Sequence, residues 1–261
     1  MRSPIKYPGG KSYLCKKIIS MVDWSRCEIA VQTHCGGDSI GLNHPLVNLE
    51  VSNDIDPDLI NFWNYYRYPD FVDTINGIDY SEHNFLYWSE VARNPLEDPV
   101  RRAVGYMVRN RMSRSALGRD YGWSDRLRGG KPENVNAWDT IRAELYLIAR
   151  RTEYKRYLNL DAAEVIRMYD SPKTVHYIDP TYMPETRVCK KLYGYEMNRE
   201  SHVLLLCRAL LCRGHVIISG YDNDLYSKML RNWNKIEINM PNHMGQGKTK
   251  QRRVECLWSN R

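Results

Sequence analysis

The sequence lacks the features that mark membrane, disulfide-bonded or repetitive proteins. It opens without an apolar signal segment, and its densest apolar run, 203–212, is interrupted by Arg208 and falls short of the about 20 residues that span a bilayer. The cysteine count is seven, an odd number, and no C-x-x-C pair occurs, so neither a disulfide framework nor a zinc site is indicated. No internal repeat or low-complexity segment is present. We therefore expect a cytoplasmic protein with reduced thiols, without a metal and without a membrane partner.

The composition permits a folded domain and favours an acidic partner. The chain has 261 residues, of which 43% are hydrophobic, enough for one sizeable α/β domain with a smaller insertion. Its formal net charge of +7 favours an acidic partner, most often nucleic acid or an anionic membrane surface.

Hydrophobic periodicity predicts an α/β fold formed by both ends of the chain. Strands are predicted at 28–33, 47–53, 175–178 and 215–219, helices from Pro57 to about Tyr66 and from about 199 to 212, and a closing antiparallel hairpin at 236–240 and 253–258. Strands that alternate with helices indicate a parallel sheet. The predicted catalytic domain is 1–69 with 152–261. Residues 70–151 form a mostly helical insertion with a polar loop at 112–136.

The sharpest chemical motif is Asp179-Pro180-Thr181-Tyr182, which directly follows a predicted strand. Open α/β sheets bind ligands at the carboxyl ends of their strands. The exocyclic amine of adenine is a poor nucleophile because its lone pair is delocalised into the ring. The Asp179 carboxylate and the Pro180 carbonyl can accept its hydrogen bonds and localise that lone pair, while the Tyr182 ring can stack on an extruded base. An Asp-Pro turn that merely ends a strand remains an alternative.

Two further motifs are typical of nucleotide sites. The segment 6–11 holds two glycines that allow close backbone approach and Lys11, which can reach a carboxylate or phosphate. Asp54 ends the second predicted strand, where an acid commonly bonds ribose hydroxyls, whereas Asp56 precedes Pro57 and is predicted to cap a helix.

Five segments in this order resemble the Dam-type DNA adenine-N6 methyltransferases over nearly the whole chain. The segments similar to family elements are 6–11 (K-[W/Y]-x-G-G-K), 53–56 (N-D-I-N), 179–182 (D-P-P-Y), 218–221 (L-S-[N/G]-Y) and 254–260, the closing strand. The resemblance implies a Rossmann-like S-adenosylmethionine-dependent methyltransferase sheet with a DNA-recognition insertion. It also implies that the cofactor S-adenosylmethionine contacts Tyr7, Lys11, Asp54 and Asp179, and that Asp179, Pro180 and Tyr182 hold the target adenine.

The chain departs from the family at two places. Thr181 replaces the second proline of the catalytic element, which loosens a stiff turn. The cofactor loop, roughly E-P-F-x-G-x-G in the family, reads Q-T-H-C-G-G-D from Gln32 to Asp38, with Gly36 and Gly37 retained. If position 38 needs a positive φ, an aspartate there is strained, and its carboxylate would lie near that of the cofactor. We expect weakened or altered cofactor binding.

The insertion carries a basic segment that is predicted to contact DNA. Residues 101–128 contain eight arginines and only two acids, with Tyr106, Tyr121 and Trp123 between them. Arginine pairs with phosphates and guanine edges, and the family's target-recognition region falls at the same place. The predicted DNA-binding residues are Arg109, Arg111, Ser113, Arg114, Arg119, Arg126, Arg128, Lys248 and Lys250. Lys248, Lys250, Arg252 and Arg253 are read as phosphate contacts.

The sequence therefore predicts a site-specific methyltransferase that acts on N6 of adenine in double-stranded DNA as a monomer or weak dimer, in a bacterial cell or a phage-infected host. Two alternatives stay open. One is a non-catalytic DNA-binding relative whose cofactor loop has decayed. The other is an enzyme of the same fold that modifies an amino group in RNA.

Overall fold

The computed structural model describes residues 1–186, 194–241 and 252–261. Its helices are α1 (Cys15–Ser20), α2 (Pro57–Tyr65), α3 (Pro69–Asn76), α4 (Glu82–Arg93), α5 (Pro99–Met112), α6 (Glu133–Arg151), α7 (Ala162–Tyr169), α8 (Arg199–Leu210) and α9 (Asp224–Met229). Its strands are β1 (Ile29–Gln32), β2 (Leu49–Asn53), β3 (Leu127–Arg128), β4 (Lys131–Pro132), β5 (Arg156–Leu158), β6 (Thr174–Ile178), β7 (His215–Gly220), β8 (Asn234–Pro241) and β9 (Arg252–Ser259). None of the helices in these ranges is long and apolar enough to cross a membrane.

Side-chain caps explain where several helices begin. The Asp56 carboxylate accepts hydrogen bonds from the backbone N–H groups of Asp58 and Leu59, and Pro57 occupies the first turn of α2. The predicted capping role of Asp56 is therefore confirmed. Asp98 caps α5 in the same way, again with a proline at the first turn.

The chain divides into two compact units. The first unit comprises residues 1–19, 36–44 and 56–159 and contains helices α2 to α6. Its core includes an aromatic cluster in which Phe62 stacks on Tyr66 and meets Trp63 and Phe71 edge-on, all four side chains being fully buried. The predicted insertion, 70–151, lies wholly within this unit; the domain boundaries themselves stay a prediction.

The second unit comprises residues 20–35, 45–55 and 160–261. Six of its strands lie side by side in the order β2-β1-β6-β7-β9-β8. Neighbouring pairs from β2 to β7 are parallel, and β9 runs antiparallel to both β7 and β8. The α/β class, the parallel sheet and the closing antiparallel hairpin are thus confirmed.

The central strands of this sheet are covered on both faces. Every residue of β6 and of β7 is buried, as a strand between helical layers requires. The core on one face joins Ile178 and Ile218 to Leu206 of α8 and to Trp258 of β9. This packing fixes the carboxyl ends of β6 and β7, from which the candidate active site projects.

The predicted polar loop 112–136 contains more regular structure than expected. Strands β3 and β4 form a hairpin, with Leu127 opposite Pro132 and Arg128 opposite Lys131. Its two-residue turn, Gly129-Gly130, has φ values of 62° and 77°, which match a type I′ turn that only residues tolerant of positive φ adopt readily. Helix α6 begins at Glu133, so the loop also ends earlier than predicted.

Candidate active site

The N-terminal segment of the first unit forms a tight turn at Tyr7-Pro8-Gly9-Gly10. The N–H of Gly10 donates to the carbonyl of Tyr7 at 3.0 Å, and Gly9 has a φ of 77°. Proline at the second position and a positive-φ glycine at the third are typical of a type II turn. The turn places the buried Lys11, whose ammonium donates to the Gly9 carbonyl at 2.8 Å.

Gly36 and Gly37, the two glycines of the predicted cofactor loop, lie against this turn. Gly36 has a φ of 46°, and a Cβ atom there would lie 2.7 Å from Cδ1 of the Tyr7 ring. A side chain at position 36 is therefore excluded by both strain and space. The Trp63 indole N–H donates to the Gly36 carbonyl at 2.9 Å, which secures the loop from α2. The first unit thus brings Tyr7, Gly36 and Gly37 together.

Asp38 has the positive φ that the sequence analysis considered, with a value of 50°. Its carboxylate, however, has partners within the protein. The Lys155 ammonium lies 2.9 Å from Oδ2, and the Tyr157 hydroxyl donates to the same oxygen at 3.0 Å. The side chains of Asp38 and Lys155 are 0% and 1% exposed. A lysine 117 residues later in the sequence therefore compensates the charge of Asp38. The expectation of weakened or altered cofactor binding stays a prediction.

In the second unit, polar side chains follow three neighbouring parallel strands at one edge of the sheet. Gln32 ends β1, Asp54 follows β2 and Asp179 follows β6. Gln32 Nε2 donates to the Ser52 hydroxyl at 3.3 Å. Asn53 links this edge of the sheet to the segment before α7, since its side chain both donates to the Leu160 carbonyl and accepts from the Leu160 N–H. The edge is held by hydrogen bonds and carries two carboxylates, as nucleotide sites in such sheets do.

Asp179 is oriented by a chain of hydroxyl groups. The Ser219 hydroxyl, near the end of β7, lies 2.7 Å from Oδ1 of Asp179, and the Tyr177 hydroxyl lies 3.0 Å from that of Ser219. A serine hydroxyl has one proton, and a carboxylate only accepts, so Ser219 donates to Asp179 and Tyr177 donates to Ser219. Sequence reasoning matched the 218–221 segment to the family without giving Ser219 this role.

The remaining residues of the catalytic element are also positioned by the second unit. Pro180 is buried, and the Thr181 hydroxyl accepts a hydrogen bond from the Met197 N–H at 3.1 Å, which restrains this turn. The Tyr182 hydroxyl donates to the Glu255 carboxylate, and its ring meets that of Tyr221 edge-on at 4.7 Å. Burial, with Asp179 and Glu255 nearby, raises the pKa of Tyr182 well above its usual value, so this hydroxyl stays protonated.

Three of the predicted DNA-binding residues are engaged inside the first unit. Arg109 donates to the Gly118 carbonyl at 3.0 Å, and Arg111 donates to the carbonyls of Pro4 and Ser3 at 2.7 and 3.0 Å. Burial lowers the pKa of Arg111 to about 10. The buried Ser113 hydroxyl accepts from the Gly118 N–H at 2.8 Å. These contacts stabilise the turn after α5 and the N-terminal segment.

The other arginines of the insertion are exposed: Arg114, Arg119, Arg126 and Arg128. Arg126 and Arg128 belong to the β3–β4 hairpin segment, and Trp123, half exposed, precedes it. Tyr106, which is partly buried, stacks on the core residue Phe62. Lys248 and Lys250 lie outside the described residues. Whether any of these residues contacts DNA stays a prediction.

A separate group in the second unit resembles a metal site but has a structural explanation. Ligand atoms of Asp170, His176 and Cys212 lie within 4.8 Å of one another. Asp170 already accepts from the backbone N–H groups of Arg213 and Gly214, and the Arg213 guanidinium lies 3.5 Å from Oδ2. This positive charge disfavours a bound cation, and the same contacts fix the start of β7.

A parallel α/β sheet with an oriented carboxylate and two tyrosines at its carboxyl edge is an arrangement typical of α/β proteins that bind ligands at that edge. A sequence model of the D12 class N6 adenine-specific DNA methyltransferases matches residues 7–240. The chain belongs to this family and is a DNA adenine methyltransferase. A comparison with curated proteins gave no match. Among solved structures, Thermoplasma acidophilum 1320 is similar at 9% identity, with 95% of this chain and 85% of that chain covered and a TM-score of 0.39.

Proposed function

We propose that this family member transfers a methyl group from S-adenosylmethionine to the N6 amino group of adenine in duplex DNA. The observation that carries this proposal is the orientation of Asp179. Its carboxylate follows β6 at the carboxyl edge of the sheet and is held at 2.7 Å by the Ser219 hydroxyl. A fixed acceptor at this edge suits an amino group that must be held before it can react.

The chemistry requires an acceptor for the hydrogens of the amine. When N6 donates to the Asp179 carboxylate and to the Pro180 carbonyl, its lone pair is less delocalised into the ring and becomes available for attack. S-adenosylmethionine, when bound, supplies an electrophilic methyl group on a sulfonium. The N6 lone pair forms the new N–C bond while the C–S bond breaks and its electron pair stays on sulfur. The surplus N6 proton can leave through Asp179, a carboxylate within hydrogen-bond reach.

The polar residues at the carboxyl end of β2 fit such a cofactor. Asp54 is buried, follows β2 and can accept hydrogen bonds from ribose hydroxyls. Its neighbour Asn53 is fixed to Thr33 and Leu160 by its side-chain amide, so the backbone that carries Asp54 is held in place. The assignment of Tyr7, Lys11, Gly36, Gly37 and Asp38 to cofactor binding stays a prediction.

The decayed-relative alternative is less well supported than the enzyme. A loop released from selection for binding would be expected to lose its internal contacts. Here Asp38 is paired with Lys155, and Gly36 still accommodates the Tyr7 ring. These contacts favour a loop that keeps a defined conformation with a changed sequence.

The test is labelled methyl transfer to DNA isolated from cells that lack adenine methylation, with RNA as the parallel substrate. The wild type is expected to label duplex DNA and not RNA. Asp179→Ala should abolish labelling because the acceptor is lost, while DNA binding is largely retained. Asp73→Ala, an exposed acid on α3, is the matched control and should behave as wild type. Substantial turnover by Asp179→Ala, or no binding of S-adenosylmethionine at millimolar concentration, contradicts the proposal.

A further inference from the structure

Glu255 is a buried acid beside the catalytic element. It lies on β9 and is 3% exposed. Its strand neighbours Cys256 and Trp258 belong to the apolar core on one face of the sheet. Because side chains alternate along a strand, Glu255 points to the opposite face. A carboxylate in the middle of a buried strand is costly unless it receives hydrogen bonds, so its presence calls for a partner.

That partner is Tyr182 of the catalytic element. Its hydroxyl donates to Oε1 of Glu255, whereas its distance to Oδ1 of Asp179 is 3.5 Å, at the outer limit of a hydrogen bond. A tyrosine hydroxyl has a single proton. Since that proton goes to Glu255, it does not go to Asp179.

Two consequences follow for the site. Oδ1 of Asp179 receives its hydrogen bond from Ser219, and the carboxylate is spared a second strong donor from Tyr182. Each donor that a carboxylate accepts makes it a weaker acceptor for another group. In addition, the Tyr182 ring is held at its hydroxyl end by Glu255 and on its side by Tyr221, 4.7 Å away.

We propose that Glu255 is a positioning residue for adenine methylation: it fixes the Tyr182 ring that stacks on the extruded base and keeps the tyrosine proton away from Asp179. This rests on the proposed function, in which Asp179 holds the adenine amino group, and on the predicted stacking of the Tyr182 ring on the base. Glu255 touches neither the base nor the methyl group. Its effect passes through the Tyr182 hydroxyl.

The test compares two substitutions of different chemistry. Glu255→Gln keeps an oxygen that can accept the tyrosine proton, whereas Glu255→Leu removes it. The rate is measured in single turnover, with enzyme in excess over unmethylated genomic DNA and with labelled S-adenosylmethionine. We expect Glu255→Leu to lower this rate about 10- to 100-fold, the range for losing a hydrogen bond to a charged group, and Glu255→Gln to stay within about 5-fold of wild type. The Kd for DNA, measured by equilibrium binding, should change little in either variant.

A double-mutant cycle separates positioning from simple stabilisation. Tyr182→Phe keeps the ring and removes the hydroxyl through which Glu255 is proposed to act. In the Tyr182→Phe background, Glu255→Leu should therefore have little further effect on the rate. An equal effect in both backgrounds would overturn the proposal, as would a wild-type rate for Glu255→Leu. If Glu255→Leu does not fold, the same cycle with Glu255→Gln decides: its remaining rate loss must vanish in the Tyr182→Phe background, and equal losses in both backgrounds overturn the proposal.

The outcome for Asp179→Ala keeps the two proposals distinguishable. If Asp179→Ala retains turnover, the proposed function fails whatever Glu255 does. If Asp179→Ala is inactive while the cycle shows no coupling between residues 182 and 255, only the role of Glu255 is refuted.

Discussion

Asp38 and Lys155 form a buried ion pair, and its contribution to stability can be tested by Lys155→Met. The substitution removes the ammonium 2.9 Å from Oδ2 of Asp38 and keeps a side chain of similar length. Both side chains are at most 1% exposed, so water cannot solvate the remaining Asp38 carboxylate unless the structure opens locally. Removing one partner of a buried pair costs about 3–5 kcal/mol.

That cost is large against the stability of a typical protein. Folded proteins are stable by about 5–15 kcal/mol, and for a chain of this size each kcal/mol shifts Tm by about 2–4 °C. We therefore expect Lys155→Met to lower the free energy of unfolding by about 3–5 kcal/mol and Tm by about 10 °C. Chemical denaturation and calorimetry at pH 7 measure the two quantities.

The matched control is Lys173→Met, which breaks an exposed pair with Glu28. In that pair the lysine and glutamate side chains are 62% and 49% exposed, so the expected loss is below about 1 kcal/mol. A second variant, Asp38→Gly with Lys155→Met, removes both charges and the strain at φ 50°, and it should recover about 1–3 kcal/mol relative to Lys155→Met alone. If Lys155→Met costs no more than Lys173→Met, the view of this loop as charge-compensated is refuted.

Three further predictions concern DNA binding and pH. The double variant Arg126→Gln, Arg128→Gln should bind DNA with a weaker salt dependence: the slope of the logarithm of the association constant against the logarithm of the salt concentration should fall in magnitude by about 2, because two exposed phosphate contacts are lost. An unchanged slope would place the DNA surface elsewhere. Arg111→Gln should leave that slope unchanged and instead lower the free energy of unfolding by about 1–3 kcal/mol, since its guanidinium holds the carbonyls of residues 3 and 4; a reduced slope with normal stability would reverse this assignment. Burial lowers the pKa of His176 to about 4, so the native imidazole stays neutral while the unfolded one gains a proton as pH falls below about 6.5. Between pH 7 and pH 5 the free energy of unfolding should therefore fall by about 2 kcal/mol because of this histidine, which faces Oδ1 of Asp170 at 3.6 Å. His176→Phe should remove that part of the pH dependence. Equal pH dependence in both proteins would exclude His176 as its source.

Local chemistry made much of the fold predictable. Strands β1, β2, β6 and β7 follow continuous or alternating apolar runs, and the capping of α2 by Asp56 follows from an acid before a proline. The hairpin at residues 127–132 was missed although its signal was present. A Gly-Gly pair between residues of high charge was read as part of a polar loop, while its two positive φ values build a type I′ turn.

The candidate site was predictable only where its residues adjoin one another in sequence. Asp179 to Tyr182 could be recognised because four consecutive residues carry the chemistry. Ser219 and Glu255 reach the same carboxylate and the same tyrosine from strands 40 and 73 residues further along. Nothing in the local pattern around Glu255 distinguishes it from a surface glutamate, because strand alternation tells which residues share a face and not what they meet there.

The arginine-rich segment shows that residues adjacent in sequence can have different roles in the structure. Eight arginines within 28 residues predicted a DNA surface, and the composition gave no means of sorting them. The contacts separate them: Arg109 and Arg111, on the last turn of α5, each donate to backbone carbonyls of the chain, while Arg126 and Arg128 are exposed on the hairpin segment. A guanidinium has five donors and can satisfy backbone carbonyls, so a basic run near a helix end can serve the fold rather than a ligand.

In the predicted cofactor loop, the sequence indicated the backbone conformation of Asp38 but not the partners of its side chain. From the sequence, Asp38 in place of a glycine predicts both backbone strain and an unwelcome charge, and the strain is present. Lys155 neutralises the charge, and the Tyr157 hydroxyl donates a hydrogen bond to the same carboxylate. Both residues lie more than 100 residues away in sequence, beyond the predicted insertion. An aspartate tolerates positive φ better than most residues and can also accept two hydrogen bonds, so it can replace a glycine only where such donors exist. Lys155 and Tyr157 are such donors, so the sequence-distant contacts of Asp38, which local pattern cannot reveal, explain how the loop holds an aspartate at a positive φ.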